Sequence, residues 1–244
     1  MTTSQDLAKQ AAADRALALV KPGMIVGLGT GSTAERFVRR LGERVGAGLD
    51  VSGVATSERT ARLAGEVGIR LVTLDDVKAL DLAVDGADEA DNDFRLIKGG
   101  GGALLREKLV ASTARHVAIL VDPSKEVSQL GRFPLPVEVE PFGALVTQER
   151  LAALIPNFGE PGGLARLRRD DYGEPFVTDG RNFIVDMALG KIRDADGLAR
   201  AIKAITGVVD HGLFVHLCDT LITGYSDGTS VLRQAPQRIL AAGT

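Results

Sequence analysis

Short β-rich apolar runs alternate with helical patterns through the first half of this chain, and that rhythm leaves few folds open to it. Met24–Leu28 (MIVGL) reads as a buried strand, followed by a helix from Thr33 to about Arg44. Val51–Ala55 predicts a second strand, with a helix through SERTARLAGEVG. Ile69–Leu74 predicts a third strand, Leu82–Val84 a fourth ending at Asp85, and a further short one lies around Leu96 and Ile97. A helix from Ala103 to Thr113 then feeds Val117–Val121. Strand, helix and strand in this order favour parallel pairing, because a right-twisted strand and its crossover helix pack back on one sheet with a single hand. The expected class is α/β, an open, doubly wound and mostly parallel sheet.

From about Leu130 the texture changes. GRFPLPVEVEPFG is rich in proline, and Val137 and Val139 alternate as in a strand with one exposed face. A helix (ALVTQERLAALI), a strand near Leu164–Arg168, NFIVDM from Asn182, a helix (ADGLARAIKAI) and strand-like GVVDHGLF follow. This β-α-β-β-α-β order is the ferredoxin-like split motif. Residues 131–206 are therefore expected to form a smaller inserted α+β domain, with 1–130 and 207–244 forming the main one. The tail CDTLITGYSDGTSVL is expected to rejoin the main sheet.

At 244 residues the chain is long enough for a main domain with a companion, and 45% hydrophobic with 25% charged residues places it among globular proteins. A net charge of -3 with no basic run argues against nucleic acid as a partner. The single Cys218 cannot close an internal disulfide, which fits a reducing cytoplasm. MTTSQDLAKQAAADRALALVKPG reads as an amphipathic helix with scattered charges, not a signal peptide. No apolar run approaches the ~20 residues of a membrane span. A soluble cytoplasmic protein is the expectation.

The 29 glycines cluster at the ends of apolar runs, where backbone must turn or approach something closely. GTGST follows the first strand, DGADEAD the fourth, KGGGG the short fifth and DPSK the strand ending at Val121. In an open parallel sheet, ligands bind outside the carboxyl ends of the strands, so these four loops are expected to share one edge.

Thr30, Gly31, Ser32 and Thr33 offer N–H groups and hydroxyls at a helix start, an arrangement that suits a phosphate. A plain structural turn and the dinucleotide fingerprint compete with that reading. Gly27 and Gly29 match the first two fingerprint glycines, but Ser32 occupies the third position and the second strand ends in Ala55-Thr56-Ser57 without an acid for a ribose. Asp85, Asp88, Glu89 and Asp91 match no EF-hand spacing. They read either as a solvated acidic turn or, because Asp85 ends an apolar strand beside Gly86, as ligand-facing carboxylates.

In KGGGGALLREK, Gly99, Gly100 and Gly101 let backbone N–H groups approach a ligand, and Lys98 adds a positive charge. Glu107 has Ala103 and Ala111 four residues to either side. A carboxylate in that row is partly desolvated, and its pKa rises toward the range of a working general base. The competing reading is a surface glutamate paired with Arg106 or Lys108. His116, His211 and His216 form no zinc motif, no G-x-S-x-G elbow exists, and Cys218 reads as packing.

GLGTGSTA, VDGADEAD, KGGGGALLREK, DPSK and LGRFPLPVEV resemble, in order and approximate spacing, the signature segments of type A ribose-5-phosphate isomerase. The likeness continues through VTDGRNFIVDM and ITGVVDHGLF and covers nearly the whole chain. It implies interconversion of D-ribose 5-phosphate and D-ribulose 5-phosphate in the non-oxidative pentose phosphate pathway, on a Rossmann-like domain joined to a ferredoxin-like one. By position it implies that Thr30–Thr33, Asp85, Gly86, Ala87, Asp88, Lys98–Gly101 and Lys125 bind the substrate and that Glu107 transfers the proton. In that chemistry Lys98 meets the charge on the substrate oxygens, and Asp85 and Asp88 are expected to hold the sugar hydroxyls and assist ring opening. A lysine like Lys9 assists the phosphate in that pattern. The resemblance also implies no metal or organic cofactor, and a homodimer or homotetramer. A non-catalytic phosphosugar sensor and a CoA-transferase-like enzyme with a glutamate nucleophile are the alternatives.

Overall fold

A computed structural model describes residues 3–236. Met1 and Thr2 of the expected amino-terminal helix, and residues 237–244 of the expected main domain, lie outside the described residues. The helices are α1 (Ser4–Leu17), α2 (Ser32–Gly46), α3 (Glu58–Glu66), α4 (Leu104–Thr113), α5 (Ala144–Ala152), α6 (Ile155–Phe158) and α7 (Ala195–Lys203). The strands of the main sheet are β1 (Ile25–Leu28), β2 (Ser52–Ala55), β3 (Arg70–Leu71), β4 (Leu82–Gly86), β7 (Val117–Val121), β13 (Thr220–Gly224) and β14 (Ser230–Gln234). Two smaller sheets contain β5 (Glu89–Ala90), β6 (Leu96–Ile97), β8 (Leu135–Val139), β9 (Leu164–Leu167), β10 (Phe183–Ala188), β11 (Val208–His211) and β12 (Leu213–Phe214).

The main sheet runs β14-β13-β7-β4-β1-β2-β3. All its pairings are parallel except that of the edge strand β14. The chain winds from β1 toward β2 and β3 on one side, then returns to place β4 and β7 on the other. The carboxyl ends of β1 and β4 thus flank the point where the winding reverses, the place where such sheets open a crevice.

Alternation along the strands sorts their side chains between two cores. Leu82 and Val84 join the core beneath α1 and α2, with Phe37, Leu120 and Ala13. Ala83 belongs to the opposite core, with Val110 and Ala111 of α4 and Ile119. The same alternation puts Asp85 on the α4 face of the sheet. Gly27 permits α4 to come close, since a Cβ there would lie 2.5 Å from Val110 Cγ1.

The second sheet is β11-β8-β10-β9, antiparallel throughout. With α5–α6 and α7 it realises the expected ferredoxin-like order. Its last strand, β11, lies beyond residue 206, where the insert was expected to end, because it pairs with β8 and not with the main sheet. A second expectation also fails. β6 is not in the main sheet: β12, β6 and β5 form a separate antiparallel sheet of three strands. The polypeptide between β4 and α4 is therefore a detour on the rim of the main sheet. The expected third strand shortens to Arg70–Leu71, after which Leu74–Asp76 turns as a 3₁₀ segment. No helix among the described residues is long and apolar enough to cross a membrane.

Candidate active site

The β1–α2 turn, the β4–β5 loop, the glycine loop after β6 and the turn after β7 converge on a cleft of about 170 Å³. Its walls include Thr30, Gly31, Ser32, Thr33, Gly86, Ala87, Asp88, Lys98, Gly99, Gly100, Gly101, Glu107 and Lys125. Every expected site residue but one borders it.

The exception is Asp85. Its carboxylate faces a small internal cavity that Lys98, Glu107 and Phe214 also border. Asp85 Oδ1 accepts the N–H groups of Thr30 (3.1 Å) and Gly86 (2.7 Å), and Oδ2 lies 3.0 Å from Lys98 Nζ. Gly29 makes this possible, because any Cβ there would collide with the Asp85 carboxylate and backbone. Asp88 is the carboxylate on the open side. Its Oδ2 accepts the Gly100 N–H at 2.7 Å.

Lys98 sits at the centre. Its Nζ donates to Gly86 O (2.6 Å), lies 3.3 Å from Glu107 Oε2, and stands 5.4 Å from the Phe214 ring centre. The main chain at Lys98 is fixed by its N–H donating to Gly212 O at 2.9 Å, which ties β6 to the start of β12. Lys98, Asp85 and Glu107 are 3%, 6% and 5% exposed. Burial of this depth opposes every charge, so the balance among the three decides their protonation. For Lys98 burial works against the ammonium, but Asp85 and Glu107 outweigh it and hold the pKa above the usual lysine range. Burial pushes Glu107 up, the Asp85 charge adds to that, Lys98 opposes it, and the result is about 8. Asp85 is also raised by burial, with Lys98 opposing. Among the described residues Glu107 Oε2 is a buried oxygen without a hydrogen-bond partner.

The surface-glutamate reading of Glu107 does not hold. Arg106 faces outward to Glu58 and Asp179, at 3.9 and 3.5 Å. Lys108 donates to Asp210 Oδ1 (2.6 Å) and His211 O (2.5 Å), fastening α4 to β11. His211 is buried there, and burial together with Lys108 pushes its imidazole down to about 4.

At the far end of the cleft α2 begins at Ser32 with Gly31 as its N-cap and no side-chain cap. Its first-turn N–H groups are left for solvent or a ligand, and their dipole favours an anion. Lys125, Lys9 and Gln5 border the same region. Several polar groups here were not singled out from sequence. The Thr30 hydroxyl bonds with those of Thr56 (2.8 Å) and Ser57 (2.8 Å), and Thr60 Oγ1 donates to Gly29 O at 3.0 Å. The signal was present in the Thr-Ser pair closing β2, with Ser57 as the cap of α3. Asp85, Glu89 and Asp91 of the acidic loop each have protein donors. Glu89 accepts the N–H groups of Gly131 and Phe133 at 2.7 and 2.8 Å, and Asp91 accepts Arg95 Nε at 2.7 Å.

Residues 52–228 match the family model for ribose 5-phosphate isomerase A, also described as phosphoriboisomerase A. The chain belongs to this family. A ribose-5-phosphate isomerase A of Parvibaculum lavamentivorans is 57% identical over 92% of this chain and 96% of its own. Among solved structures, ribose 5-phosphate isomerase A of Methanocaldococcus jannaschii superposes with a TM-score of 0.86, at 40% identity over 95% of this chain and 100% of that one. A D-ribose-5-phosphate isomerase in complex with phospho-erythronic acid gives a TM-score of 0.86 at 36% identity, over 93% and 97% of the two chains. These ribose-5-phosphate isomerases share the mostly parallel central sheet, so the likeness extends from the sequence to the fold.

Proposed function

We propose that this chain interconverts D-ribose 5-phosphate and D-ribulose 5-phosphate through an enediolate, with Glu107 carrying the proton. The observation that carries this reading is a buried carboxylate, raised to about 8, that borders the cleft 3.3 Å from a buried ammonium. Family membership supplies the substrate pair.

The reaction needs a base that takes the proton from the carbon beside the carbonyl and returns it to the neighbouring carbon. Glu107 in its ionised form accepts the C2 proton, and the C–H electron pair forms the C1–C2 double bond of the enediolate. The hydroxyl proton passes from O2 to O1, and the neutral acid then protonates C1 as the carbonyl forms at C2. A pKa near the working pH serves both halves. Lys98 faces the negative charge that builds on the substrate oxygens, and the glycine-loop N–H groups add to it. Asp85 keeps Lys98 in place, a different role from direct contact with sugar hydroxyls. Asp88, on the open side, takes the hydroxyls and assists ring opening. The α2 start with Lys125 and Lys9 receives the phosphate.

The four-stranded sheet is read as a separate domain that supports the rim of the cleft. A homodimer or homotetramer in the cytoplasm fits the family, and Phe142, 91% exposed beside exposed Leu145 and Val146, offers an apolar patch for such contacts. The purified chain, incubated with D-ribose 5-phosphate and coupled to detection of ribulose 5-phosphate, tests the reading. Steady formation of the ketose is the expected result. No turnover, or a covalent acyl adduct at Glu107 after exposure to an acyl-CoA, overturns it.

A further inference from the structure

The glycine loop poses a physical problem. Its N–H groups are useful to an anionic intermediate only while they face the cleft, yet a glycine peptide flips at little cost because no side chain resists the rotation. A flipped peptide would present a carbonyl oxygen to developing negative charge. Within the loop Gly99 O accepts the Gly102 N–H at 3.0 Å, but among the described residues no loop N–H holds Gly100 O.

Arg168, immediately after β9 in the four-stranded sheet, is placed to hold both carbonyls. Its Nη1 donates to Gly99 O at 3.1 Å and to Gly100 O at 3.0 Å. The remaining edge of the guanidinium is locked to Asp186 on β10, with Nε to Oδ2 at 2.8 Å and Nη2 to Oδ1 at 2.5 Å. Its Cζ lies 5.7 Å from the Phe176 ring centre. Across a trans peptide the C=O and N–H point in opposite directions. With Gly99 O held by Arg168, the Gly100 N–H must point away from it, and it does so by donating to Asp88 at 2.7 Å. With Gly100 O held as well, the Gly101 N–H is turned the same way, and among the described residues it donates no hydrogen bond. One guanidinium thus holds two successive peptide planes, the first together with the Gly102 N–H. Lysine offers no such fork.

We infer that Arg168 is a positioning residue for the isomerisation: braced by Asp186, it clamps the Gly99 and Gly100 carbonyls so that the Gly100 N–H stays on Asp88 and the Gly101 N–H is left for the enediolate. This rests on the isomerase reading above. It also gives the four-stranded sheet a part in the chemistry although it supplies no reacting group.

Steady-state kinetics of Arg168→Ala, Arg168→Lys and Asp186→Asn, together with binding of phospho-erythronic acid and of inorganic phosphate, test the clamp. Removing an oxyanion donor costs ~10²–10³-fold in kcat. Here the donors stay but lose orientation, so Arg168→Ala should lower kcat about 10- to 100-fold with KM within about 3-fold. Phospho-erythronic acid, whose carboxylate resembles the anionic intermediate, should weaken by a similar factor, while inorganic phosphate binding stays unchanged. Arg168→Lys should remain impaired, and Asp186→Asn should lower kcat less, by about 3- to 10-fold. If Arg168→Ala does not fold, Asp186→Asn decides by the same split between kcat and KM. A wild-type kcat in Arg168→Ala or Asp186→Asn, full recovery in Arg168→Lys, or equal weakening of both ligands overturns the clamp. A wild-type chain that fails to isomerise overturns the isomerase reading instead.

Discussion

Lys98 Nζ and Glu107 Oε2 lie 3.3 Å apart in a setting where both side chains are almost wholly buried. They lie nine positions apart in sequence, and the glycine loop folds back to bring them together. In the mechanism we propose, the pair couples the proton carrier to the charge that stabilises what proton removal creates. Lys98 opposes the effect of burial on Glu107, and on the proposed mechanism the ammonium is free to serve the enediolate once Glu107 takes the proton.

Glu107→Gln should keep the shape of the site and abolish its basic lone pair. Loss of a general base costs ~10²–10⁴-fold in rate, with substrate binding changed far less. The variant should also fail to exchange solvent deuterium into the substrate. Near wild-type turnover and exchange would assign the base elsewhere.

The raised Glu107 pKa has two pH consequences. Proton abstraction needs the ionised form, so kcat/KM of the free enzyme should fall on the acid side with a bend well above the ordinary glutamate value of 4.5, toward 8. For stability the sign runs the same way. Between about 4.5 and 8 the native chain retains a proton that the unfolded chain has released. Stability therefore declines as pH rises through this window and levels off above it. Asp85, shifted in the same direction, contributes with the same sign. Denaturant titrations across the window should show a shallower decline for Glu107→Gln than for the wild type. Parallel slopes would mean that Glu107 titrates normally.

Lys125 closes the 3₁₀ turn Pro123–Lys125 and borders the cleft near the uncapped start of α2. A hydrogen bond to a charged group contributes about 1.5–3 kcal/mol. Lys125→Ala should accordingly weaken a non-reacting pentose 5-phosphate by about 10- to 100-fold and unphosphorylated ribose much less. Equal losses for both ligands would place the phosphate elsewhere.

Gly29→Ala tests the close approach of β1 to Asp85. The added methyl would strike the Asp85 carboxylate and backbone, and overpacking of this kind costs about 1–3 kcal/mol. Because Asp85 holds Lys98, turnover should fall along with thermal stability. Gly46→Ala, where a Cβ meets nothing within 4 Å, is the control and should leave turnover unchanged. A Gly29→Ala chain with wild-type activity would remove Asp85 from the site's support.

Much of this protein was written locally. Alternating apolar runs and helical patterns specified β1, β2, β4, β7 and the helices between them, because strand and helix periods are properties of neighbouring residues. Loop chemistry at strand ends pointed to Thr30–Thr33, Asp88, Lys98–Gly101 and Lys125 as cleft residues, since bare backbone, hydroxyls and charge next to a strand end have few structural uses. The sequence motifs also carried the family. What local pattern left open was which groups face one another. Two-residue β6 carries no mark of the sheet it joins, and only its pairing with β5 and β12 withdraws it from the main sheet. Asp85 and Asp88 look equivalent in DGADEAD, yet strand alternation buries one against Lys98 and leaves the other on the cleft. Arg168 reaches Gly100 across 68 residues, in one of several arginines along its stretch of chain. Burial, salt-bridge choice and the clamp on the glycine loop are long-range outcomes. They depend on distances set when the two sheets pack together, and no short window of sequence contains those distances.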